Sequence, residues 1–123
     1  MTRSRARAKQ AGSEFERLIA DFLNKHVDDR IDRRVRSGAK DKGDIANVRA
    51  HGKPVVVECK NTARLQLGTF LNEAEVERVN DDALAGIVVF KRTGKGKAKD
   101  QVVLMTMADL VALLTGKRVD ADG

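Results

Sequence analysis

The sequence predicts a single α/β domain in which one mixed central β-sheet is flanked by helices, in the order α-β-β-β-α-β-β-α. Three observations lead there. The chain has 123 residues, the usual size of one domain with one core. Apolar residues at helical spacing open and close the chain and recur in its middle. Between them lie short Val- and Ile-rich runs of strand length.

The elements follow in order. Residues 1–12 carry Arg3, Arg5, Arg7 and Lys9, no acid, and too few apolar side chains to pack, so a mobile basic arm is expected there. The folded domain is expected over 13–118, with a tail at 119–123. Ser13 and Glu16 have the spacing of a capping box, after which Phe15, Leu18, Ile19, Phe22 and Leu23 form one helical stripe. Residues 31–36 alternate as a strand, and 44–49 and 55–60 read as two more, joined by a turn containing Gly52. Residues 69–83 read as a helix with Phe70, Ala74, Leu71, Val76 and Val79 inward and Gly86 ending it. Strands at 87–90 and 101–106 and a helix at 108–114, closed by Gly116, complete the chain.

Composition narrows the function. Lys plus Arg number 24 against 18 Asp plus Glu, and this net +6 favours a polyanionic partner. Four Phe with no Tyr or Trp make a poor platform for stacking single-stranded bases. One Cys excludes a disulfide framework and a multi-Cys zinc site, which suits a reducing cytoplasm. The longest apolar stretch, 83–90, is too short to span a membrane, and an apolar secretory segment is lacking, so no membrane partner is expected. Besides the arm, cations gather at Arg30, Arg33, Arg34, Arg36, Lys40 and Lys42, and at Lys91, Arg92, Lys95, Lys97 and Lys99. The last group, interleaved with glycine, reads as a flexible loop between strands. Any one run reads equally as a solvated face; three in one small domain point to a phosphate-binding surface.

The chemistry is concentrated at Glu58-Cys59-Lys60. Strand alternation puts Val55, Val57 and Cys59 on one face and Val56, Glu58 and Lys60 on the other, so Cys59 reads as a small buried residue. A turn centred on His51 would set Asp44 directly opposite Glu58, with Cβ atoms roughly 4.5–5.5 Å apart. Two carboxylates that close repel without a cation. Neutralisation by Lys60 and nearby arginines is the plainer account, but the apolar flanks put the pair at the end of core strands. Asp44, Glu58 and the Cys59 carbonyl form an all-oxygen set suited to Mg²⁺. His26 and His51 supply neither a triad nor a metal pair, and residues 93–97 lack the P-loop spacing.

Asp44 followed, after residues 45–57, by Glu58-x-Lys60 resembles the PD-(D/E)XK nuclease signature, with Gly43 where the proline stands. Within that superfamily the chain most resembles the archaeal-type Holliday junction resolvases, and more distantly the Mrr-like restriction nucleases. Gly12, Glu16 and Arg17 match their helix motif, and Arg36-Ser37-Gly38 their glycine loop before the metal aspartate. The resemblance covers roughly residues 12–92 and implies a restriction-endonuclease-like domain. It implies a Mg²⁺-dependent phosphodiester hydrolase, with Mn²⁺ substituting and no small-molecule cofactor. Glu16, Asp44, Glu58 and Lys60 would be catalytic; Asp44, Glu58, Glu16 and the Cys59 carbonyl would hold the metal. Lys60 would orient or deprotonate the attacking water. Glu16 competes for the capping role, and Glu14 is the alternative helix carboxylate. Arg17, Arg36, Ser37, Lys40 and Lys42 would grip DNA phosphates without reading bases. The implied substrate is a four-way junction, cut by a homodimer whose two sites match its two-fold symmetry. Helix 69–83 and the last strand and helix are candidates for the dimer interface. The alternatives are cutting of ordinary duplex DNA, as in restriction or repair, and DNA binding without catalysis.

Overall fold

In the computed structural model, residues 4–35, 38 and 40–119 are described. Of the arm, 1–3 fall outside them, as do Arg36 and Ser37 of the glycine loop; of the tail, only Val119 falls inside.

Helix α1 spans Arg5–His26, so it begins well before Ser13. Ser4 is the N-cap, its hydroxyl accepting from Arg7 N at 3.2 Å. Residues 5–10 are strong helix formers, and one glycine at position 12 does not stop the helix. The expected arm is therefore helix over 5–12, exposed over 5–10 because the stripe that packs starts only at Phe15. Ser13 and Glu16 sit inside the helix and make no capping box.

Strands β1 (Asp32–Arg33) and β2 (Ile45–Ala46) pair antiparallel as a separate two-stranded ladder. Strands β3 (Arg49–Ala50), β4 (Lys53–Lys60), β5 (Ala85–Phe90) and β6 (Val102–Leu104) form the main sheet in that order. β4 and β5 run parallel, from Val55 opposite Ala85 to Lys60 opposite Phe90, and β3 and β6 are antiparallel to them. The strand expected over 44–49 is thus two strands. Asn47 breaks it, adopting φ +68 while its Nδ2 donates to Arg30 O at 2.9 Å.

The hairpin turn is His51-Gly52, both at positive φ, pairing Arg49 with Pro54 and Ala50 with Lys53. This moves the register off the one expected. Asp44 does not face Glu58: its N–H donates to Val57 O at 2.9 Å.

Helix α2 (Leu67–Asn80) carries the parallel crossover, and α3 (Met107–Thr115) closes the chain after a 3₁₀ turn at Ala98–Asp100. α2 ends before Gly86, which lies inside β5 instead. A Cβ there would stand 2.8 Å from Ala74 O, so glycine is what lets α2 press against the sheet. Helix α1 packs Phe15 and Ile19 on the face bearing Val55, Val57 and Cys59. Helix α2 packs Phe70 and Ala74 with Val88 on the other. Val76 and Val79, expected inward, are 60% and 61% exposed; Glu77 takes the buried position in the stripe with Phe70 and Ala74.

Candidate active site

β4 is buried from Val55 to Cys59 and brings its motif residues out at its carboxyl end, with a cavity on each side. Toward α1 the cavity holds Glu16, Arg17, Arg33, Arg34 and Asp44. Toward α2 it holds Asp41, Glu58, Lys60, Glu73 and Glu77. The four residues expected to act together are therefore distributed over two faces of one strand.

Asp44 and Glu16 belong to the α1 side. Asp44 is 5% exposed, and its Oδ2 accepts from Cys59 N at 2.8 Å. This hydrogen bond ties the aspartate to the amide that lies between Glu58 and Lys60. Glu16 Oε1 accepts from Arg33 Nη2 at 3.1 Å. Glu14 is exposed and accepts from Gln10, so Glu16 is the helix carboxylate that reaches the cavity. The Cys59 thiol is pushed up, first by burial, then by the Asp44 and Glu16 carboxylates, as a thiol enclosed between two acids must be. Cys59 is buried, as strand alternation requires.

Glu58 and Lys60 belong to the α2 side. Lys60 Nζ lies 2.5 Å from Glu73 Oε2, 3.9 Å from Glu58 Oε1 and 5.0 Å from the centre of the Phe70 ring. Glu58 is 6% exposed, and its Oε2 is buried without a hydrogen-bond partner. Asp41, Glu58 and Glu77 each bring a carboxylate oxygen within 4.8 Å of the other two. Sequence reading missed Asp41 and Glu77. A signal for Glu77 existed, since it lies seven residues after Phe70 and three after Ala74, on the helix face of those core positions; Asp41 offered none.

The loop into Asp44 is fixed by Gly43. Its φ is +95, and a Cβ would meet Val56 Cγ1 and Val57 O at 3.0 Å. Proline, held near φ −65°, has no place in that conformation, so the departure from the motif is structural. Asn80 Nδ2 donates to Asp41 O at 2.9 Å and Gly43 N to Asp41 Oδ1 at 2.9 Å, anchoring the loop to the end of α2.

The expected phosphate ligands are spread more widely. Arg17 lines the α1-side cavity, bonded to Asp32 at 2.8 Å and Asp21 at 3.1 Å, and these contacts raise its pKa. Arg33 and Arg34 line the same cavity, and the Nε of each is buried with no hydrogen-bond partner. Lys40 is exposed, and Lys42 turns toward Asp81, 3.9 Å away. The histidines stand apart: His26 lies against Phe22 with the rings tilted, and His51 Nε2 bonds Leu113 O at 2.7 Å.

A three-helix α/β domain with a mixed sheet and a Glu-x-Lys strand beside a buried aspartate defines a restriction-endonuclease-like nuclease domain. The chain belongs to the phage putative PDDEXK endonuclease family, whose model matches residues 7–120. The match supports the superfamily read from Asp44, Glu58 and Lys60, and does not extend to the archaeal-type junction resolvases. Comparison with curated proteins and with solved structures finds no significant match. A nuclease family implies DNA as partner, and PD-(D/E)XK nucleases generally use divalent metals. The residues present fit such an ion: the donors are oxygens only, and a buried carboxylate oxygen of Glu58 has no hydrogen bond to lose. Among the described residues no helix is long and apolar enough to cross a membrane.

Proposed function

We propose that the protein is a Mg²⁺-dependent endonuclease, active with Mn²⁺ as well, that resolves four-way DNA junctions in the cytoplasm as a homodimer. The observation that carries this reading is the bond from Cys59 N to Asp44, which joins the aspartate to the Glu58-x-Lys60 strand end beside an arginine-lined cavity. The catalytic set is Glu16, Asp44, Glu58 and Lys60. Glu16 and Asp44 offer oxygens to a metal on the α1 side of β4, Glu58 offers its own on the α2 side, and the Cys59 carbonyl belongs to the strand between them. Once bound, a divalent cation supplies Lewis acidity toward the phosphate and a more acidic water.

This chain's own residues do the rest. Arg17, Arg33 and Arg34 grip backbone phosphates on the α1 side, assisted by Arg36, Ser37, Lys40 and Lys42. Lys60 exchanges its contact with Glu73 for the substrate, orients the attacking water and offsets charge developing on the phosphate. The water oxygen bonds to phosphorus, one P–O ester bond breaks, and the products are an alcohol and a phosphate monoester. Selectivity for a junction is supported by the resemblance of the Gly12, Glu16 and Arg36-Ser37-Gly38 segments to the junction resolvases.

The test is incubation with Mg²⁺, a synthetic four-way junction and a matching linear duplex. Symmetric nicks in the junction alone support the proposal. Equal cutting of the duplex replaces it with a restriction- or repair-type nuclease. Tight binding without cleavage, unchanged in Asp44→Ala, makes the domain a non-catalytic DNA binder.

A further inference from the structure

The cavity between β4 and α2 is acidic in a basic protein. Asp41, Glu58, Glu73 and Glu77 line it, with Lys60 as the one cation among its lining residues. Glu58 and Glu77 are 6% and 4% exposed, rise from two rigid elements and form its floor, while Asp41 is exposed at its mouth. Like charges held within 4.8 Å and shielded from water repel strongly unless a cation lies among them.

Lys60 is a poor neutraliser for this group. Its ammonium is drawn to Glu73 at 2.5 Å and stays 3.9 Å from Glu58 Oε1. The second oxygen of Glu58 is buried and accepts no hydrogen bond. A buried carboxylate oxygen is costly unless something binds it, and an oxygen-only set of three carboxylates suits a small hard divalent cation. The mouth is already organised, because Gly43 N fixes one oxygen of Asp41 and Asn80 holds its backbone.

We infer that Asp41, Glu58 and Glu77 form a divalent-cation site on the α2 face of β4, opposite the face that carries Glu16 and Asp44. It rests on the nuclease reading for its use, and it extends that reading: Glu58 is shared between the motif and this site, and Asp41 and Glu77 become ligands. The ion lies beside Lys60, so its presence sets how far that ammonium is drawn toward the acids.

Cation binding is measurable without DNA. Mn²⁺ is titrated into the full chain and free ion is followed by electron paramagnetic resonance, for wild type, Asp41→Asn and Glu77→Gln. The exposed Asp41→Asn change keeps the fold, checked by circular dichroism. It should raise the Mn²⁺ dissociation constant on the order of tenfold or more, and Glu77→Gln should do at least as much. Wild-type affinity in both variants, or no Mn²⁺ binding by the wild type, overturns the site. Mn²⁺ binding that depends on Asp41 and Glu77, in a protein that cuts no DNA, supports the site and sinks the nuclease. Cleavage with unaltered Mn²⁺ affinity in both variants does the reverse.

Discussion

Two residues define what the motif does here. Lys60 is the one cation lining the acidic cavity, and its ammonium lies over the Phe70 ring and meets Glu73. In the proposed mechanism, removing it takes away charge stabilisation but no phosphate grip. Lys60→Ala should cut cleavage on the order of 10²-fold or more while junction affinity stays close to wild type. Gel-shift and single-turnover assays measure the two separately, and a parallel loss of both would count against the assignment. Gly43 is the complementary case. Restoring the family's proline looks harmless on paper, yet it demands φ near −65° where the backbone has +95 and removes the N–H that holds Asp41. Gly43→Pro should therefore destabilise the fold by more than about 1 kcal/mol in urea unfolding, with an unchanged midpoint refuting the argument.

Among the elements, α3 is held by an internal clamp. Asp109 is 5% exposed and accepts from Thr106 Oγ1 at 2.9 Å, Arg118 Nη1 at 2.8 Å and Gly86 N at 3.3 Å, while Arg118 also bonds Leu84 O. Helix cap, β5 and the chain after Gly116 meet on one carboxylate. Asp109→Ala strands the arginine and leaves a buried backbone donor, at a cost of roughly 2–4 kcal/mol; a thermal midpoint within a degree of wild type would refute it. The sequence made parts of this architecture legible: Gly116 at the helix stop, the alternation along β4 and the hairpin's location all follow local rules. It hid what depends on distant partners. Residues 5–12 look like an arm because helix formers without an apolar stripe carry no packing signal, although Ser4 caps them. Asn47 gave no warning that it would split a strand by reaching to Arg30. Residues 91–99 look flexible, yet Gln101 bonds Arg92 N, Lys95 O and Lys97 O and organises the whole loop. The site divides the same way. Asp44, Glu58 and Lys60 are visible through their spacing, whereas Asp41 and Glu77 meet Glu58 only once α2 crosses the sheet.

The whole molecule has two differently built ends. At one, His51 and Lys53 bond Leu113 O and Gly116 O, so the hairpin turn is pinned to the carboxyl end of α3. At the other, the parallel strands β4 and β5 finish side by side, Lys60 opposite Phe90, and Lys91 N bonds Lys60 O. Open α/β sheets bind ligands beyond the carboxyl ends of their parallel strands. Here that end carries the Glu58-x-Lys60 motif, the acidic cavity, and the loop bearing Lys91, Arg92, Lys95, Lys97 and Lys99. Asn61 Nδ2 reaches Ala11 O, which brings the basic first turns of α1 to the same end. Cations thus gather around the acids at this end, an arrangement suited to drawing in a phosphate backbone. This geometry predicts how affinity depends on salt. Each phosphate neutralised contributes about 0.9 to the slope of log affinity against log salt for duplex arms. Replacing Lys95, Lys97 and Lys99 together with alanine should weaken junction and linear duplex alike and flatten that slope by about 2–3, since three contacts are lost and none reads a base. Titrations at several salt concentrations measure it. An unchanged slope would put the loop off the DNA, and with it the argument that this end of the sheet is the binding face.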